Sequence, residues 1–96
     1  MFERVKLALR ISHNLLDNEI QDTISAAIQE LKRLGVDDSV LPSGESEGEA
    51  LVQQAIITYC LMKLSSNERL LQGYADSFTL QVDNIRKSVE YVQRSN

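Results

Sequence analysis

A single apolar stripe in the last third of the chain constrains its fold more than any other feature. Leu71, Tyr74, Phe78, Val82, Ile85, Val89 and Val92 advance by steps of three and four residues, the period at which side chains share one face of an α-helix. The stripe predicts one continuous C-terminal helix. Gly73 and the Phe78-Thr79 pair lower the intrinsic helix propensity by about 1 kcal/mol, enough for a kink, but the stripe runs through them without a break. Ser66 or Asn67 is available as its N-cap, with Glu68 in the first turn. A helix of about 25 residues is about 37 Å long and overhangs any core that shorter helices can build.

The same period recurs upstream. Phe2, Val5, Ala8 and Leu9 predict a short first helix that stops before Ser12-His13-Asn14. Leu16, Ile20, Ile24, Ala27, Ile28, Leu31 and Leu34 predict a second helix, with Asn14 or Asp17 as N-cap and Gly35 as the C-terminal stop. Asp17 and Glu19 in its first turn, and Lys32 and Arg33 in its last, complement the helix dipole. A third helix starts near Glu49, and its Val52, Ala55, Ile56, Tyr59, Cys60 and Met62 leave so little polar surface that it must be buried. The expected fold class is therefore all-α, a small bundle of four helices with a long C-terminal helix. At 96 residues the chain is read as one domain, residues 1–96.

Charge is distributed unevenly. Met1 to Leu34 is neutral and Ala50 to Asn96 carries +1, so the net charge of −4 arises in Gly35 to Glu49, where Asp37, Asp38, Glu45, Glu47 and Glu49 face no basic residue. That segment also holds three of the four glycines and the single proline. Residues 35–49 are therefore expected to form a flexible acidic loop between helices two and three. No basic stripe of the kind that grips phosphates is present, which disfavours direct DNA binding. Reading the first two helices as a helix-turn-helix fails for a related reason, since no Arg or Asn cluster projects from the first turn of the second.

The chain offers little material for catalysis. One cysteine and one histidine make neither a disulfide nor a zinc site. Cys60 falls in the buried third helix, as a packed thiol, and His13 falls in the turn after the first, as a hydrogen-bonded turn residue. Glu45, Glu47 and Glu49 lack the spacing of a calcium loop. The expectation is no enzyme, no cofactor and no metal. No stretch approaches the roughly 18 apolar residues of a membrane span, and Glu3, Arg4, Lys6 and Arg10 interrupt any secretory signal. Together with the lone cysteine, this fits a reducing, cytosol-like compartment.

The residues then bring a family into view. The segment VKLALRISHNLLDNEIQDTISAAIQELKRLGV resembles the N-terminal half of the small head-tail connector proteins of tailed phages and prophages, also described as DNA-packaging or head-completion proteins. In that family a short "VK..LRI" helix leads into a polar turn that opens a helix ending in "L...GV". The matching residues are Val5, Lys6, Leu9, Arg10, Ile11, Asn14, Leu16, Asp17, Glu19, Ile20, Leu31, Gly35 and Val36. Ala55 to Cys60 resembles the family's apolar third helix, and Glu68, Leu71 and Tyr74 the start of its fourth. The likeness spans roughly residues 3 to 82, and the stripe beyond Ile85 is expected to be this chain's own addition.

The resemblance implies a structural protein of the virion, at the head-tail interface, assembled in the cytoplasm of a bacterial host. It implies copies joined in a homo-oligomeric ring below the portal protein, extending the DNA channel and docking a stopper or tail completion protein, with DNA passing through unbound. Such a ring needs two different faces on each subunit. Val82, Ile85, Arg86, Lys87, Val89, Val92 and Arg94, an apolar stripe with a basic flank, are the expected partner-binding residues. Asp37, Asp38, Glu45, Glu47 and Glu49 are the expected channel-facing loop, where like charge repels phosphates within about 8 to 10 Å. A small helical dimeric regulator that binds a partner protein or DNA is the competing reading, separable by oligomer size.

Overall fold

The computed structural model consists of four α-helices: α1 (Phe2–Ala8), α2 (Asp17–Arg33), α3 (Ala50–Leu64) and α4 (Glu68–Arg94). One turn of 3₁₀ helix spans Asp38–Val40, and no strand occurs among the described residues. Those are residues 1–43, 48–65 and 68–94, with side chains as far as Lys87 apart from that of Glu68. The all-α bundle with a long C-terminal helix follows the helical periods of the sequence.

The third helix is the hub. Because it is apolar around most of its circumference it must be covered on several sides, and α1, α2 and α4 all pack on it. Val52, Ala55, Ile56 and Cys60 of α3 are fully buried. They meet Val5 of α1, Ile20, Ile24, Ala27 and Leu31 of α2, and Phe78, Val82 and Ile85 of α4. Burial of each large aliphatic side chain contributes about 1.5 to 3 kcal/mol. Thr58 is the one buried polar residue among those described, and its hydroxyl donates to the Gln54 carbonyl at 3.0 Å, within its own helix.

The lengths of α3 and α4 do not match. With 15 residues α3 is about 22 Å long, whereas α4 with 27 is about 40 Å. The Tyr59 and Phe78 rings lie 5.5 Å apart and fix the register of the pair. Counting back along α3 from that contact brings Ala50, its first residue, level with about residue 87 of α4. The last two turns of α4 therefore run past the end of α3. The helix is continuous through Gly73.

Two helix ends close in the same way. After α2, Gly35 takes φ 94°, its N–H donates to the Lys32 carbonyl, and the Val36 N–H donates to that of Leu31. This double bond pattern satisfies carbonyls that the helix leaves open, and a left-handed residue at the turn is what glycine provides at least cost. After α1 the Arg10 N–H bonds Leu7 and the Ile11 N–H bonds Lys6 in the same pattern, but Arg10 takes the left-handed position with φ 58°. A side chain there costs about 1 to 2 kcal/mol relative to right-handed backbone.

The start of α2 differs from the sequence expectation. Neither Asn14 nor Asp17 caps the helix: Leu16 occupies the N-cap position and no side chain bonds the free N–H groups. Both side chains are turned instead toward Lys6 of α1, whose ammonium lies 2.8 Å from the Asn14 Oδ1 and 2.8 Å from the Asp17 Oδ1, and also over the Phe2 ring. A largely covered lysine gains more from two oxygen partners than the turn gains from a cap. Asn14 and Asp17 thus clasp α1 to α2. His13 is a turn residue as expected, accepting the Leu15 N–H at Nδ1.

Residues 35–49 were expected as a loop read only for its charges and glycines. Its apolar residues Val36 and Leu41 are buried in the core. The Glu49 N–H donates to the Val40 carbonyl at 3.0 Å, drawing the start of α3 against the 3₁₀ turn. Gly48, at φ 84°, makes this approach possible, since a Cβ there would come within 2.7 Å of the Val40 carbonyl oxygen.

Candidate assembly surfaces

The two residues closest to catalytic chemistry are placed apart in character. Burial pushes the Cys60 thiol up to about 12, so it remains protonated and unreactive at neutral pH. His13 lies on the exposed turn. Among the described residues no group of three His, Cys, Asp or Glu side chains gathers as a metal site, and no helix is long and apolar enough to cross a membrane. What the fold does present is exposed apolar and charged surface.

The end of α4 is the first such surface. Of the residues expected to bind a partner, Val82 and Ile85 are only 6% and 2% exposed, because the core of this subunit already uses them. The stripe closes the chain's own bundle as far as Ile85. Arg86 and Lys87 are exposed, and Lys87 pairs with Asp83 at 2.9 Å, which raises its pKa. Val89, Val92 and Arg94 lie on the helical backbone beyond the register of α3, with side chains outside the described residues.

The acidic segment is the second. Asp37 accepts the Ser39 N–H at 2.8 Å, and this hydrogen bond holds its carboxyl below the usual range. Asp38 lies 3.9 Å from the Lys32 ammonium in an exposed pair, and Glu49 occupies the N-cap position of α3 without a side-chain bond. Glu45 and Glu47 lie outside the described residues. The local work of Asp37 is therefore to turn the chain into the 3₁₀ segment.

Two further surfaces went unnoticed in the sequence. On the corner between α1 and α2, Leu7 and Leu15 are 79% and 87% exposed. Between the C-terminal end of α2 and the middle of α4 runs a groove of about 570 Å³. Leu34, Phe78 and Val82 give it an apolar floor, while Glu30, Asp76 and Asp83 outnumber Arg86 among its charges. Leu80, 62% exposed, stands at its edge. A signal for these residues was present: Leu7, Leu15 and Leu80 are large apolar residues that fall off the core stripe of their own segment. Exposed leucines carry meaning when they cluster, and only the fold shows that these border a corner and a groove.

Comparison with curated proteins and with solved structures returns no match. The family profile described as phage connector protein matches residues 1–95. That span is wider than the likeness visible in the sequence, and it takes in the part of α4 beyond Ile85, which is thus not an addition peculiar to this chain. Several residues that carried the likeness build the fold just described: Lys6, Asn14 and Asp17 form the clasp, Gly35 and Val36 the end of α2, and Val5, Ile20 and Leu31 the core. With a family match over nearly its whole length and four helices arranged as above, the chain belongs to the phage connector protein family, structural components of the virion that join head to tail.

Proposed function

We propose that this protein is a non-enzymatic adaptor that forms a ring below the portal protein, extends the DNA channel and docks a stopper or tail completion protein. The observation that carries the reading is the family match over residues 1–95. The geometry supports it in two ways. The last turns of α4 run beyond α3 and offer a helical element to a neighbouring protein, with exposed Arg86 and Lys87 at its root. The acidic segment, with Asp37, Asp38 and Glu49 on exposed backbone, would repel phosphates if it faces the lumen, so that DNA slides without being held. Assembly takes place in the host cytoplasm, and the mature location is the head-tail junction.

Removing the gene from the phage or prophage that encodes the chain tests this directly. Filled heads and finished tails should accumulate separately, and expression of the intact protein from a plasmid should restore joined particles. Normal infectious virions without the protein would refute the adaptor role. Deleting residues 88–96 refines the test: the subunit should keep its melting transition, because Ile85 still closes the core, and should fail to restore joining.

A further inference from the structure

We propose that Gln53 is a relay through which the docking of α1 sets how firmly the acidic segment is seated, so that a contact made on α1 from outside the subunit is felt at Glu49 and the 3₁₀ turn. The inference stands apart from the ring reading. It begins with one side chain that is bonded at both ends. The Arg4 guanidinium of α1 donates to the Gln53 Oε1, and the Gln53 Nε2 donates to the Gly48 carbonyl at 3.0 Å. Gln53 lies half-buried in the first turn of α3, while Arg4 is exposed to any neighbour. The bridge thus joins α1 to the end of the acidic segment across the start of α3.

The residue type suits the task. A primary amide presents an acceptor and a donor side by side, so it can take a cation on one atom and a carbonyl on the other. A carboxylate in its place would hold Arg4 but turn a lone pair toward the Gly48 carbonyl. An ammonium would bond the carbonyl and repel Arg4.

The segment that receives the bridge is finely balanced. The Glu49 N–H bond to the Val40 carbonyl brings Glu49 beside the turn that carries Asp37 and Asp38, and the mutual repulsion of these carboxylates opposes that approach. The Glu49 side chain offers no capping bond in return. Hydrogen bonds at Gly48 and Glu49 and the buried Leu41 hold the approach in place, and Arg4 adds a positive charge one amide away. When Arg4 is drawn to a carboxylate outside the subunit, the Gln53 amide loses the donor that fixes its orientation, and the Gly48 carbonyl loses a partner held on target. Coupling of this kind is reciprocal: loosening Glu49 from the turn also loosens the hold on α1.

The test is residue-resolved amide hydrogen exchange on the full chain at low concentration, with the Ile56 amide in the core as reference. Neither position 4 nor position 53 adjoins Glu49 in sequence, so a change at the Glu49 amide reports its protection. Arg4→Ala should speed exchange at Glu49 about threefold or more and leave Ile56 unchanged. Gln53→Met should do at least as much, and adding Arg4→Ala to it should bring no further increase. Gln53→Glu, which keeps the partner of Arg4 and removes the donor to Gly48, should speed Glu49 while the Leu9 amide that closes α1 exchanges as in wild type. The relay is wrong if Arg4→Ala leaves Glu49 unchanged, if Glu49 rises only in step with Ile56, or if the effects of Arg4→Ala and Gln53→Met simply add. Because every reading is taken on the free subunit, none of these outcomes bears on whether the chain forms a ring.

Discussion

Gly48 shows how a single residue can be fixed by a neighbour far from it in sequence. Its backbone is left-handed, and a methyl group would collide with the Val40 carbonyl oxygen and with Leu41 and Pro42 backbone atoms. Gly48→Ala should therefore cost about 1 to 3 kcal/mol, read as a drop in melting temperature of at least several degrees. An unchanged melting temperature would show that the segment relaxes without loss. The sequence marks Gly48 only as one glycine among three in the loop, because the close approach depends on how residues 36–41 dock, which no local pattern encodes. Cys60 was the opposite case, legible as a packed thiol from its place on an apolar helix. Its pKa is raised by burial to about 12, so the folded state retains the proton over a range in which the unfolded chain loses it. Stability from this group is complete below the ordinary thiol value and falls as pH rises toward 12, by up to about 1.4 kcal/mol per pH unit. Thermal melts of wild type and Cys60→Ala across that range should converge as pH rises. Rapid alkylation of the native protein at pH 8 would contradict the burial.

At the scale of elements, the helices were readable from apolar spacing, and their ends less so. A polar residue before a helix looks like a cap whether it bonds the helix or something else, and at α2 the difference was made by Lys6, eight residues from Asn14 and on another helix. Lys6→Ala should destabilise the chain by about 1 to 3 kcal/mol through loss of the hydrogen bond to Asn14, of the ion pair with Asp17 and of the contact between α1 and α2. A double-mutant cycle with Asp17→Ala should give a coupling of at least about 0.5 kcal/mol. Additive losses would mean that Asp17 acts without Lys6. On α4, a Cβ at Gly73 meets nothing within 4 Å, so Gly73→Ala should stabilise the isolated subunit by about 0.5 to 1 kcal/mol. A loss of stability there, measured by denaturant unfolding, would reveal contacts that the exposed position does not suggest. The C-terminal stripe was legible as helical over its whole length. That Val82 and Ile85 belong to the subunit's own core was not, because spacing tells which residues share a face and not what lies opposite it.

For the whole molecule, the bundle is organised around α3, and the surplus length of α4 follows from comparing 15 residues with 27. Sequence alone could supply that mismatch, together with the family likeness that the profile match over residues 1–95 establishes. The groove and the exposed corner could not be read in advance, since each is made by segments that only the fold brings side by side. The central claim is that the chain works as a ring, with two unlike faces per subunit. Native mass spectrometry of the full-length protein bound to purified portal tests that claim most directly. The account expects one dominant closed oligomer with a single fixed number of copies per portal. A chain that binds the portal only as scattered monomers or two-fold dimers, or that never binds it, would contradict the account.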